Sequence, residues 1–140
     1  MKRLEWFNSI EEKLNTLAYR IEERGRLNLL DLHLHLEVFF LHFLNMLFDW
    51  KLRDLNSEQT NTPAIDLADD VNKIVVQVSA TATKHKVESA LAKVAPAYGG
   101  YAFKFIAISK NASGLRGVTY RNPNGLCFSP REDILDVCSL

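Results

Sequence analysis

Four side chains stand where the surrounding apolar pattern has no place for them: Glu37 in "HLHLEVFF", Asp66 in "AIDLA", and Gln77 with Ser79 in "KIVVQVS". On a helical wheel at ~100° per residue, Asp31, His35, His42, Asn45 and Asp49 share one narrow arc, the solvated face of a helix. Glu37 falls on the far side, among Leu30, Leu34, Phe40, Leu41 and Leu44, with His33 as its polar neighbour. A carboxylate buried there unpaired would neutralise, so it needs a metal ion, a basic side chain or a set of donors. Strand alternation gives a similar result. Ile74, Val76 and Val78 share the core face, and Gln77 and Ser79 project together from the other. If the strands bearing Asp66 and Gln77 pair through a turn from Asp69 to Asn72, one acid, one amide and one hydroxyl converge. Each also has a plainer role open to it. Asp66 could cap the turn, Gln77 could satisfy backbone groups, and Glu37 could pair with Lys84 or Lys104.

Spacing argues against several other chemistries. In a helix His33 and His35 point ~160° apart, too far to chelate one zinc ion. Cys127 and Cys138 have neither zinc-ligand spacing nor the density of a secreted disulfide scaffold, and neither has an evident histidine partner. There is no Gly-x-Ser-x-Gly elbow, and "KNASGLRG" lacks the spacing of a phosphate loop. Lys84, His85 and Lys86 form a compact basic cluster near the candidate residues. Together with Lys73, Lys104, Lys110, Arg116 and Arg121 they could contact phosphates, the alternative being a solvated face.

The elements that must position these residues follow from periodicity. Phe7, Ile10, Leu14, Leu17 and Ile21 make one apolar stripe on a first helix ended by Gly25, a seam that could pack on the domain or on a second copy. A second helix is predicted over about residues 28 to 49. It is very apolar, but Asp31, Glu37 and Asp49 argue against a membrane span, since each charge costs about 2.5 to 3.5 kcal/mol at a bilayer centre. "KLRDLNSEQTNTP" reads as a loop, and from there the pattern turns mixed. It runs strand "AIDLA", turn "DDVN", strand "KIVVQVS", helix "KHKVESALAKV" capped by Thr83, and strand "YAFKFIAIS". A short hairpin around "NPNG" and a last helix follow, the helix with Ser129 as cap, Pro130 at its first position and Glu132 completing a capping box.

The 140 residues are one domain's worth, and 17 basic against 17 acidic residues leave no global charge signature of nucleic-acid binding. The expected fold is α+β: an N-terminal helical pair (1–50) on a small mixed sheet with flanking helices (63–140). Cysteine usage points to a reducing cytoplasm, and the early acids of "MKRLEWFNSIEEKL" do not fit a signal peptide. The last helix ends so close to Leu140 that the chain also reads as the N-terminal piece of a longer protein.

The order of these residues carries a resemblance. An acid on an N-terminal helix, "AID" at 64 to 66, "QVS" at 77 to 79 and then a helix resemble the restriction-endonuclease-like fold. Its Mrr-like branch reads Glu, Gly-Ile-Asp and Gln-x-Lys. More closely, "GRLNLLDLHLHLEVFF", "AIDLADDVNKIVVQVSATATKHKVESAL" and "YAFKFIAISK" resemble the bacterial SMEK domain over nearly the whole chain. The resemblance implies a domain of anti-phage and anti-plasmid defence systems that work with partner ATPases. It further implies a nuclease-like site in which Glu37, Asp66 and Gln77 hold Mg²⁺ for phosphodiester hydrolysis. Ser79 departs from the pattern by standing where a catalytic lysine belongs, so Lys84 or Lys86 would have to supply that charge. The alternatives are an interaction or homodimerisation module that has lost the reaction, and a nucleic-acid sensor.

Overall fold

Leucine and phenylalanine predominate over residues 29–48, and where side chains are described the helix they form buries one stripe, with Leu36, Phe40, Phe43 and Leu44 on it. The computed structural model describes residue 12 and residues 29–55, 65–108 and 111–136. Within them α1 spans Leu29–Phe48. It stops where Asp49 turns left-handed at φ 58°. Asn45 then fastens the following chain to the helix: its Nδ2 donates to the Leu52 carbonyl (3.1 Å) and its Oδ1 accepts the Leu52 N–H (2.8 Å). The amphipathic stripe from Phe7 to Ile21 lies outside the described residues, apart from Glu12, which is helical.

Five strands form one mixed sheet in the order β1-β2-β3-β4-β5. They are β1 (Arg53–Asp54), β2 (Leu67–Asp69), β3 (Ile74–Ser79), β4 (Ala102–Ala107) and β5 (Ile134–Asp136). The first two pairings are antiparallel and the last two parallel. Parallel neighbours need a crossover. Between β3 and β4 it is α2, Lys84–Lys93.

The sheet carries a helix on each face. Ile74, Val76 and Val78 pack with Leu36, Phe40, Phe43 and Leu44 of α1. Val75 packs with Phe103, Phe105 and the α2 residues Val87, Ala90 and Leu91. All six β3 residues are buried, as expected for a strand covered on both faces. No helix among the described residues is long and apolar enough to cross a membrane.

The caps show how local chemistry sets the boundaries of α2. Thr83 accepts the Lys86 N–H at 3.2 Å, as its type and place suggest. At the other end the cap comes from far along the chain: Asn124 Nδ2 donates to the carbonyls of Leu91, Ala92 and Val94 at 2.9, 3.1 and 2.9 Å. Asn124→Ala is therefore expected to lower stability by about 1–2 kcal/mol, read from urea unfolding.

Three expectations differ from the structure. The stretch 51–63 is not all loop, because Arg53 and Asp54 add a strand to β2. "NPNG" forms a turn without hairpin strands, with Gly125 at φ 68° and Asn124 spent on α2. The last helix is a single turn, α3 (Pro130–Asp133), that runs straight into β5. Ser129 makes no side-chain capping bond. The return bond of the cap comes from Asp133, whose Oδ2 accepts the Ser129 N–H at 2.7 Å, and not from Glu132. The same carboxylate holds Lys104 of β4, and that tie draws the chain into the sheet after one turn.

Candidate functional site

Asp66 stands at the end of the β2–β3 ladder, whose pairing runs from Asp69↔Ile74 to Leu67↔Val76, and it bonds β3 on either side of Gln77. At Asp66 the strand bends: its N–H donates to the Val76 carbonyl at 2.9 Å. Its Oδ2 accepts the Val78 N–H at 2.8 Å, so a carboxylate takes the place that a main-chain carbonyl would hold in a longer ladder. The carboxylate thus lies at the end of the β2–β3 ladder, next to Leu67.

Gln77 leaves β3 on the α2 side, beside its parallel neighbour Phe105. It is 8% exposed, and its Oε1 has no hydrogen-bond partner among the described residues. A buried oxygen left in that state costs roughly 1–3 kcal/mol. Such an atom is met by a water, an ion or a ligand, or is retained for function. Two residues on, Ser79 is buried and closed on itself: Oγ donates to the Thr81 carbonyl and accepts the Thr81 N–H, both at 3.0 Å. Its hydroxyl is committed to the turn.

Glu37 is 1% exposed, as its place on the apolar side of the wheel implies, and it has an interaction of its own. It belongs to α1, which covers the face opposite Gln77. The helix acid and the amide thus belong to opposite faces of the sheet. Lys104 pairs with Asp133 and Lys84 with Glu88 at 3.5 Å. Lys86, in the first turn of α2, has no ion pair among the described residues.

The other basic residues are dispersed among structural contacts. Lys73 lies 5.1 Å over the Tyr101 ring, and Arg116 pairs with Asp136. Lys110 lies outside the described residues, as does Cys138. Among the described residues no three His, Cys, Asp or Glu side chains gather as a metal cluster.

Sequence reasoning passed over three acids that the fold depends on. Asp69 is fully buried, and Asp133 and Asp136 nearly so. Asp69 Oδ1 accepts the N–H groups of Val71 (2.9 Å) and Asn72 (2.9 Å), and Oδ2 accepts Lys51 N–H (2.7 Å) and Asn72 Nδ2 (2.7 Å). Burial alone would raise its pKa. The donors, led by the Asn72 and Lys51 N–H groups, outweigh burial and hold it below the ordinary 3.8. The signal was present in "ADDVN", an aspartate two residues before the apex of a turn.

A family model described as the SMEK domain matches residues 9–140. No curated protein and no solved structure matches the chain.

Proposed function

From the premise that the chain belongs to the SMEK domain family, we infer that it is a divergent, restriction-endonuclease-like module of a bacterial defence system. In this reading it acts on nucleic acid in the cytoplasm through a Mg²⁺ site at Asp66 and Gln77. The observation that carries the reading is the buried Gln77 Oε1, without a hydrogen-bond partner among the described residues, on the strand whose Val78 N–H holds the Asp66 carboxylate. An unsatisfied carbonyl oxygen on a strand that also holds an acid suits a hard cation. Mg²⁺ is commonly held by one or two protein oxygens while it keeps waters and meets substrate phosphates. When bound, the ion would polarise a phosphate and lower the pKa of an attacking water.

The chain's own residues divide the remaining work. Asp66 is fixed by the Val78 N–H through one carboxylate oxygen. Lys86, rather than the Glu88-paired Lys84, is the cation to meet phosphate charge. Glu37 comes from the opposite side of the sheet and is left to the packing of α1.

The expected result is nicking of supercoiled plasmid in Mg²⁺ or Mn²⁺ that falls by roughly two orders of magnitude in Asp66→Ala, a loss of nearly 3 kcal/mol of transition-state stabilisation. Cleavage identical in the variant would reject the assignment. A second reading rests on Ser79, which brings no charge and whose hydroxyl is committed to Thr81. Here the domain keeps the site for binding and recruits a partner ATPase or senses nucleic acid without cutting it. Salt-dependent oligonucleotide binding with no cleavage, weakened in Lys86→Ala, would select this second reading.

A further inference from the structure

Beside the stripe that it lays on the sheet, α1 carries a second apolar row. Leu34, Val38, Leu41 and Phe48 lie on it, with Asn45 completing a spacing of 4, 3, 4 and 3 residues. On a wheel at ~100° per residue the row is centred roughly 130° from the buried stripe, on the border of the solvated arc. Val38 is 43% and Phe48 44% exposed, and Phe48 stacks on Trp50 with ring centroids 4.6 Å apart. Asn45 has both amide atoms engaged with Leu52, which lets it stand in an apolar row.

The 28 residues ahead of α1 are tethered to its first turn, and they hold a matching row, Phe7 to Ile21, spaced 3, 4, 3 and 4. Each row spans 14 residues, about 21 Å of helix. Laid antiparallel, the two coincide. Ile21 falls opposite Leu34, Leu17 opposite Val38 and Phe7 opposite Phe48, and all five pairs share one midpoint, between residues 27 and 28. Gly25 then opens a connection over residues 25–28, a length usual for two antiparallel helices. Glu12 is helical and exposed, and it lies on the wheel directly opposite the Phe7 to Ile21 row. Charge agrees with the same register. It brings Arg20 within two residues of the level of Glu37, on the same flank of the seam. Glu37 is 1% exposed, and a carboxylate so placed suits a guanidinium; Lys84 and Lys104 are held by Glu88 and Asp133. We propose that residues 7–21 pack as a helix antiparallel along the second row of α1, so that this face is covered by the chain's own N-terminal segment.

Cross-linking the full chain with a short bismaleimide tests this, in a background of Cys127→Ser and Cys138→Ser that removes both native thiols. Two double variants probe the register, Leu17→Cys with Val38→Cys near the connection and Phe7→Cys with Phe48→Cys at the far end. Leu17→Cys with Met46→Cys is the control, since Met46 is 54% exposed but lies outside the row. Each register pair should cross-link within one chain at least roughly tenfold faster than the control, because contact raises the effective concentration of the two thiols. In urea the three rates should converge. The proposal is overturned if either register pair closes no faster than the control. It is equally overturned if the register pairs join only two chains to each other, with a yield that rises with protein concentration, which would give the row to a second copy.

Discussion

Asp69→Asn is expected to lower the unfolding free energy by about 3 kcal/mol, and Asp69→Ala by at least as much, measured by denaturant titration at neutral pH. Four donors converge on the two carboxylate oxygens from the turn and from Lys51. An asparagine has one acceptor oxygen and would turn its own NH₂ toward the remaining donors, so the near-isosteric change is not conservative. The site joins the α1–β1 connection to the β2–β3 turn, and losing it loosens both. The linkage to pH has a definite sign. Because the folded pKa lies below 3.8, this contribution is fully present above the unfolded pKa of about 4 and is lost as pH falls through the folded value. Acid titration should therefore bring the curves of the wild type and Asp69→Asn together below about pH 4. Parallel curves down to the acid transition would mean that the carboxylate is not ionised in the fold.

What could be read in the sequence was whatever local periodicity decides. The alternation in "KIVVQVS" fixes which β3 residues face α1, and a turn of the right length pairs Leu67 with Val76. A threonine before a basic, apolar-periodic run marks the start of α2. What could not be read depends on partners distant in sequence. Arg53 and Asp54 are unremarkable until β2 offers them a ladder, and Asn124 becomes a helix cap only because the fold carries it to Leu91. "SPREDILDV" reads as a helix by every local rule of capping. Its continuation is overruled by Lys104, which claims Asp133, and by the ladder that Phe105 offers Ile134. The candidate site divides in the same way. That Asp66 meets β3 on either side of Gln77 follows from register, but the wheel that places Glu37 on a buried face cannot say which face of the sheet that helix will cover.

Gln77→Met gives the sharpest test of why that amide is there. Methionine matches its length and brings no atom that needs a donor, so in metal-free buffer the variant should be more stable than the wild type by about 1–2 kcal/mol. A substitution that stabilises a buried position implies that the native residue is kept for something other than stability. Excess Mn²⁺ should then reverse the order. At a hundredfold excess over its dissociation constant, an ion bound only by the folded state adds about 2.7 kcal/mol to the wild type, and far less to a variant lacking the amide oxygen. Thermal unfolding of the two proteins with and without Mn²⁺ reads both effects in one experiment. A destabilised variant in metal-free buffer would mean that Oε1 is satisfied in solution. Equal stabilisation of both proteins by Mn²⁺ would place any bound ion away from Gln77, and the Asp66 carboxylate would then be a ladder acceptor and nothing more.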